Sequence, residues 1–255
     1  MINMKIFQRV IATVLFVAAL FLANGVAFAS SYEDDIARCR ANIRDATEQI
    51  KRNPNDAGAY GHRAYCYKQL KQYELVVQDY TKLIQLNPDD DFVYHRRGEA
   101  YAKLGQYDRA IQDFNKAIQL NPDDNFVYHS RGEAYAKLGQ YNKAIQDFNK
   151  TIKRKHYVMH SIAYSSRGEA YAKLGQYKRA IQDFNKAIEL GSDFPETYHN
   201  CGLAYKALGN TILAETYFAK AGELYYERGL ANQEYGDMKS AQAAFAKAKQ
   251  LGYKG

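Results

Sequence analysis

The side chains in this sequence that are best suited to chemistry are a histidine, a glutamate and a lysine, which recur together as a set. His95, Glu99 and Lys103 lie four residues apart, which places them on one face of a helix. The glutamate and lysine form a favourable i, i+4 pair, and the same glutamate favours protonated histidine. The set therefore predicts a surface whose affinity for a partner changes between about pH 5 and 7.5. Equivalent residues recur along the chain at His129, His199, Glu133, Glu169, Lys137 and Lys173.

A set that is repeated in this way is a poor candidate for catalysis, because an active site needs a singular constellation. The sequence contains no glycine-rich phosphate loop and no nucleophile elbow. His156 and His160 have the i, i+4 spacing of helical metal ligands, but no neighbouring Cys, Glu or third His completes a site. We therefore expect a non-catalytic protein that uses no metal and no cofactor.

The elements that position this set are encoded in a repeat of 34 to 36 residues. GEAYAKLGQY and AIQDFNK each occur three times, at 98–107, 132–141 and 168–177 and at 110–116, 144–150 and 180–186. Each copy has two apolar stripes at helical spacing, separated by a glycine such as Gly105 and ended by a segment such as 121–124. Two helices of this kind cannot cover their own apolar faces, so neighbouring copies must stack.

This pattern resembles the tetratricopeptide repeat. Tyrosine stands where that family usually has tryptophan, and Arg97, Arg131 and Arg167 stand where it usually has leucine. The resemblance implies an all-α fold, a right-handed helix–turn–helix solenoid in which Gly98 and Ala110 lie where the paired helices approach most closely. The matching positions in one copy are Tyr94, Arg97, Gly98, Tyr101, Ala110, Phe114, Ala117 and Pro122.

The resemblance extends over residues 57–255, nearly all of the chain that follows the N-terminal segment. The repeats are placed at about 57–90, 91–124, 125–158, 161–194 and 195–228, with a closely spaced sixth copy at about 222–255. The short spacing predicts that helix 211–221 continues into the next helix nearly without a break. Residues 30–56 are predicted to form an N-terminal capping helix, because the stretch 32–52 is amphipathic.

The family resemblance implies a protein-interaction scaffold that binds a partner's peptide or helix along a concave groove. The alternative is a structural envelope protein that self-associates through the ends of the solenoid. The net charge of +7 is modest and does not demand a nucleic-acid partner. The residues expected to face the groove are Phe92, His95, Glu99, Lys103, Phe126, His129, Glu133, Lys137, Ile162, Glu169, Lys173 and His199.

Residues 1–29 have the features of a secretory signal peptide. Lys5 and Arg9 precede an apolar run over 10–22, and Ala27-Phe28-Ala29 predicts cleavage after Ala29. We therefore expect export to a periplasm or secretion, with an uncleaved membrane anchor at residues 6–29 as the alternative.

Export brings the three cysteines, Cys39, Cys66 and Cys201, into a potentially oxidising compartment. Their odd number and wide spacing do not form a disulfide framework. We interpret them as helix-packing residues, with one Cys39–Cys66 bridge as the alternative.

Overall fold

The computed structural model of the chain describes residues 34–153 and 159–254. Within these ranges the ordered elements are helices, and no strand is found. The all-α fold predicted from the repeat is therefore confirmed. The expected signal segment with its cleavage after Ala29, and His156 of the proposed histidine pair, lie outside the described residues.

Twelve helices follow one another along the described ranges. The regular spacing of helix pairs follows from the repeat, since each copy supplies one apolar stripe to each of two helices. The helices are α1 (34–52), α2 (Ala57–Gln69), α3 (Tyr73–Leu86), α4 (Asp91–Lys103), α5 (Tyr107–Leu120), α6 (Asn125–Lys137), α7 (Tyr141–Lys153), α8 (His160–Lys173), α9 (Tyr177–Glu189), α10 (Pro195–Ala207), α11 (Thr211–Glu234) and α12 (Met238–Gln250).

The ends of the helices are fixed by local sequence. The carboxylates of Asp90 and Asp124 accept hydrogen bonds from the backbone N–H groups of Val93 and Phe126, which caps α4 and α6. Gly105 ends the turn after α4 with φ of +73°, a left-handed conformation that glycine adopts without strain. The aspartates before α4 and α6 and the glycine after α4 thus act as the sequence indicates.

From the second repeat onward, the two helices of a repeat touch at a glycine. A Cβ atom added to Gly98 would lie 2.6 Å from the ring of Phe114, and one added to Gly132 would lie 2.7 Å from the ring of Phe148. Both phenylalanines are almost completely buried. The close approach expected at Gly98 is therefore present, and the phenylalanine ring of the second helix fills the space that the missing side chain leaves.

Contacts divide the chain into two units. In the unit Cys39–Ala221, helices α2 to α10 pack in sequence order, and the first helices of successive repeats also touch: α4 with α6, α6 with α8, and α8 with α10. These first helices therefore form one side of the stack.

The other unit comprises, among the described residues, 222–254 together with 34–38. In it Gly229 faces the ring of Phe245, the same contact that Gly98 makes with Phe114. The ring of Tyr226 lies 5.0 Å from that of Tyr253.

Helix α11 runs as one helix of 24 residues, as the short spacing of the last repeats predicts. No helix in the described part of the chain combines the length and apolar character that crossing a membrane requires.

Candidate functional site

Eight of the twelve residues predicted to face a groove lie around two adjoining cavities on the α4 and α6 side of the stack. We call these cavities together the α4–α6 groove; their volumes are about 440 Å³ and 460 Å³. Arg96, Glu99, Ser130 and Glu133 line both cavities and make them continuous. The predicted residues that line the groove are Phe92, His95, Glu99, Lys103, Phe126, His129, Glu133 and Lys137.

Two phenylalanines form an apolar rim on this groove. Phe92 and Phe126 occupy the first turn of α4 and of α6, and their exposed fractions are 53% and 50%. The guanidinium carbon of Arg96 lies 4.6 Å from the centre of the Phe92 ring, a cation–π contact that holds one face of the ring. Large aromatic side chains exposed side by side in a groove are typical of a surface that binds another molecule.

Glu99 of α4 forms its ion pairs with residues other than the predicted partner, Lys103. Glu99 forms ion pairs with Arg96 at 2.9 Å and with Lys68 of α2 at 3.5 Å, and not the predicted pair with Lys103. Burial raises the pKa of Glu99, but the hydrogen bond from Arg96 and the nearby cations outweigh burial and lower the pKa below its ordinary value. Lys103 is consequently left exposed at the edge of the groove.

The two groove histidines differ from their predicted role. His95 and His129 are only 5% and 6% exposed. Their Nε2 atoms lie 3.1 Å from the Ser130 hydroxyl and 3.3 Å from the Ser166 hydroxyl, respectively. Each histidine thereby links the first helix of its repeat to the first helix of the next, and contributes to the floor of the groove.

The expectation that the neighbouring glutamates favour the protonated form of these histidines is wrong. Burial lowers the pKa of His95, and the carboxylates of Glu99 and Asp124 only partly oppose that effect. Burial likewise lowers the pKa of His129, against Glu133, whose Oε2 is 3.8 Å from Nδ1. The helix pattern contains the i+4 glutamate but not the desolvation of the histidine, which is the larger effect.

The remaining four predicted residues lie further along the stack. Ile162 is half-buried on α8, and Glu169 and Lys173 are exposed on the same helix. His199 is half-buried on α10, with its ring 5.7 Å from the ring of Phe218. The cavities of the α4–α6 groove do not include these residues.

A second set of polar residues, which the sequence analysis did not identify as interacting, lies inside each of the first four repeats. Arg97 donates from Nε and Nη2 to the two carboxylate oxygens of Asp113, at 2.8 and 2.7 Å. Its third donor, Nη1, reaches Thr81 Oγ1 of the preceding repeat at 3.1 Å. The equivalent ion pairs are Arg63–Asp79, Arg131–Asp147 and Arg167–Asp183.

These arginines are enclosed by tyrosines. The guanidinium of Arg97 lies 5.8 Å from the ring centres of both Tyr94 and Tyr101. Burial lowers the pKa of Arg97, but the hydrogen bond and charge of Asp113 more than compensate, so the pKa is raised. The signal in the sequence that could have revealed this pair is an arginine that stands sixteen residues before an aspartate in four copies.

The fifth repeat replaces the ion pair with an uncharged pair. Cys201 and Tyr217 occupy the positions that arginine and aspartate hold in the four preceding repeats. Tyr217 donates its hydroxyl to Asn185 Oδ1 of the preceding repeat at 2.7 Å. Cys201 Sγ also donates to this oxygen, at 3.9 Å. The link between successive repeats is therefore kept, and its shorter bond now comes from the second helix.

The described residues contain no cluster of three or more His, Cys, Asp or Glu side chains that could hold a metal ion. The arrangement instead offers an open groove with an apolar rim, exposed lysines and a floor that includes two buried histidines. A stack of helix pairs with such a groove defines a helical-repeat protein of the binding class.

Comparison with known families identifies the repeat. The tetratricopeptide repeat model matches residues 57–90, 92–124 and 126–157, and a related TPR repeat model matches 168–209. The chain belongs to the tetratricopeptide repeat family. No curated protein matches the chain.

Several solved structures share the fold. MamA from Desulfovibrio magneticus RS-1 is 22% identical, with a TM-score of 0.61 over 66% of this chain and 94% of that one. YrrB, described as a TPR protein with an unusual peptide-binding site, is 21% identical, with a TM-score of 0.55 over 78% and 96%. A tetratricopeptide repeat protein from Parabacteroides merdae ATCC 43184 is 20% identical, with a TM-score of 0.59 over 87% and 84%. At these identities the likeness is one of fold.

Proposed function

We propose that this protein is a non-catalytic scaffold that binds an extended segment or helix of a partner protein in the α4–α6 groove. The observation that carries the proposal is the pair of half-exposed phenylalanines, Phe92 and Phe126, on one continuous groove. The groove also presents the exposed side chains of Lys103 and Lys137. A partner segment with apolar side chains and accompanying carboxylates matches this combination.

The proposal includes export, on the strength of the signal-like sequence at residues 1–29. The full-length chain produced in its native cell should be recovered from the envelope or the medium with Ser30 as its first residue. N-terminal sequencing of the protein from each fraction measures this directly. A protein that keeps residues 1–29 and sediments with membranes would support the anchored alternative instead.

The groove is tested by crosslinked capture from the native envelope fraction, comparing the wild type with a Phe92→Ala/Phe126→Ala variant. Phe194→Ala is a matched control, because Phe194 is 43% exposed and lies outside the groove. We expect the double variant to recover at least about tenfold less partner, since losing two buried aromatic contacts costs more than 1.4 kcal/mol. Equal recovery by the wild type and the groove variant would contradict binding at this site.

Self-association is the second candidate, and it has an observation of its own. Leu208, Ile212 and Leu213 are 45%, 77% and 37% exposed near the turn between α10 and α11. At the positions of Ile212 and Leu213 the second repeat has Asp108 and Arg109. If copies associate through this patch, sedimentation will show a concentration-dependent oligomer that Ile212→Asp abolishes.

A further inference from the structure

The first repeat has a cysteine at a position that alanine fills in later repeats. Ala100 packs in a core cluster with Val76 and Tyr80 of α3, the second helix of the preceding repeat. Ala134 packs in the same way with residues of α5. Cys66 holds this position in α2, so its side chain faces the helix that precedes the first repeat, which is α1. The alanines equivalent to Cys66 are Ala100, Ala134, Ala170 and Ala204.

Helix α1 lies against the first repeat as the second helix of a preceding repeat would. Arg63 donates from Nη1 to Thr47 Oγ1 at 3.1 Å, just as Arg97 donates to Thr81 one repeat later. Ile50 of α1 packs against the core cluster that contains Tyr60 and Ala64. Two independent contacts thus fix the face of α1 that meets α2.

Cys39 lies on this face, about three helical turns before Ile50. It is half-buried, whereas Cys66 is buried, and both are free thiols. The Cys39 thiol and the Asn42 side chain are polar neighbours of the Cys66 thiol. We propose that Cys39 and Cys66 are a disulfide site, which joins α1 covalently to the first repeat when the protein meets a disulfide donor.

The reaction is a double thiol–disulfide exchange with a small-molecule or protein disulfide. The Cys39 thiolate attacks one sulfur of the donor, forms a mixed disulfide and releases one donor thiolate, which takes up a proton. Cys66 then loses its proton, attacks the Cys39 sulfur and displaces the second donor thiolate, which takes up that proton. Two protein thiols are oxidised to one disulfide, and the donor disulfide is reduced to two thiols.

The accessibility of the sulfurs sets the order of attack. Cys39 is the more exposed thiol and meets the donor first. Burial, with Cys39 beside it, raises the pKa of Cys66 to about 11, so the second exchange is slow at neutral pH and faster at higher pH. Cys201 does not compete, because it is completely buried and its neighbours are Asn185 and Tyr217.

The test is to incubate the full-length chain with oxidised and reduced glutathione and to measure the intact mass after acid quenching. We expect the wild type to lose two hydrogen atoms and to carry no glutathione. The Cys66→Ala variant, which installs the alanine of the other repeats, should instead keep one glutathione on Cys39. Cys201→Ala should behave as the wild type. Wild-type protein that carries glutathione on Cys39, or keeps three free thiols, would overturn the proposal.

A second measurement reports on the covalent link between α1 and the first repeat. Hydrogen exchange of the amides in 39–52 should slow at least about tenfold on oxidation, because the cross-link removes the local opening of α1. Amides of α8 should exchange at the same rate in both forms, and the Cys39→Ala variant should show no response to glutathione. Unchanged exchange in α1 of the oxidised wild type would show that the bond does not join the helix to the repeat.

Discussion

The first four repeats and the fifth repeat differ at one pair of interior positions, which is charged in the first four and uncharged in the fifth. In the first four, an arginine of the first helix and an aspartate of the second form a doubly hydrogen-bonded ion pair, as in Arg131–Asp147. In the fifth, Cys201 and Tyr217 take these places and carry no charge. The third repeat, which has the ion pair, and the fifth, which lacks it, both have the glycine–phenylalanine contact, Gly132 with Phe148 and Gly202 with Phe218.

The difference shows what the position requires. The Arg131 and Asp147 side chains are only 18% and 6% exposed, so the attraction between them is largely offset by the cost of removing both from water. An uncharged pair that fills the same volume avoids that cost. What both versions preserve is a donor for the acceptor in the preceding repeat: Asn115 for Arg131 and Asn185 for Tyr217. The repeat fold therefore needs a filled space and a linking hydrogen bond, and it does not need the charges.

The largest expected effect comes from breaking one ion pair. Asp147→Ala leaves Arg131 buried without its carboxylate and should lower the free energy of unfolding by about 3 kcal/mol. The double variant Arg131→Cys/Asp147→Tyr copies the fifth repeat and should come within about 1 kcal/mol of the wild type. Urea unfolding followed by circular dichroism measures both. If the double variant is as unstable as Asp147→Ala, the two versions of the position are not interchangeable.

A smaller loss of stability is expected at the glycine–phenylalanine contact, which the third and fifth repeats share. Gly132→Ala and Gly202→Ala each place a Cβ 2.7 Å from a phenylalanine ring, so each should cost about 2 kcal/mol. Equal losses would show that this contact is independent of the ion pair. Gly61→Ala is the control, because its added Cβ meets nothing within 4 Å, and the better helix propensity of alanine should stabilise the protein by up to about 1 kcal/mol. Thermal unfolding of the three variants gives the comparison.

The smallest expected effect is a difference in pH dependence. The lowered pKa values of His95 and His129 mean that the unfolded chain binds protons more readily than the folded chain. The contribution of these two histidines to the free energy of unfolding is therefore fully present above the ordinary histidine pKa of about 6.5, and it is lost as the pH falls below that value. His95→Gln/His129→Gln should reduce this loss between pH 7.5 and 5, as measured by urea unfolding at each pH. His62→Gln, at an exposed residue of the first repeat, should leave the loss unchanged.

The fold could be predicted from the sequence because the same helix-pair pattern recurs several times. Gly98 with Phe114, the aspartate caps and the uninterrupted α11 all follow from local pattern and from spacing. The ion pairs were missed for a physical reason: Arg97 and Asp113 lie on different helices, and their meeting depends on how the helices pack. His95 lines the α4–α6 groove, but its protonation depends on burial, which the pattern of a single helix does not contain.

The hydrogen bond from each arginine to the preceding repeat bears on how the number of repeats can change in evolution. The acceptor at each of the first four junctions is a threonine hydroxyl or an asparagine amide oxygen, and the same Nη1 donor uses either. If residues 91–124 were removed, Arg131 would meet Thr81 in place of Asn115, and the junction would still close. Whole repeats can thus be gained or lost by duplication and deletion without compensating substitutions, and the length of the binding surface can evolve separately from its chemistry.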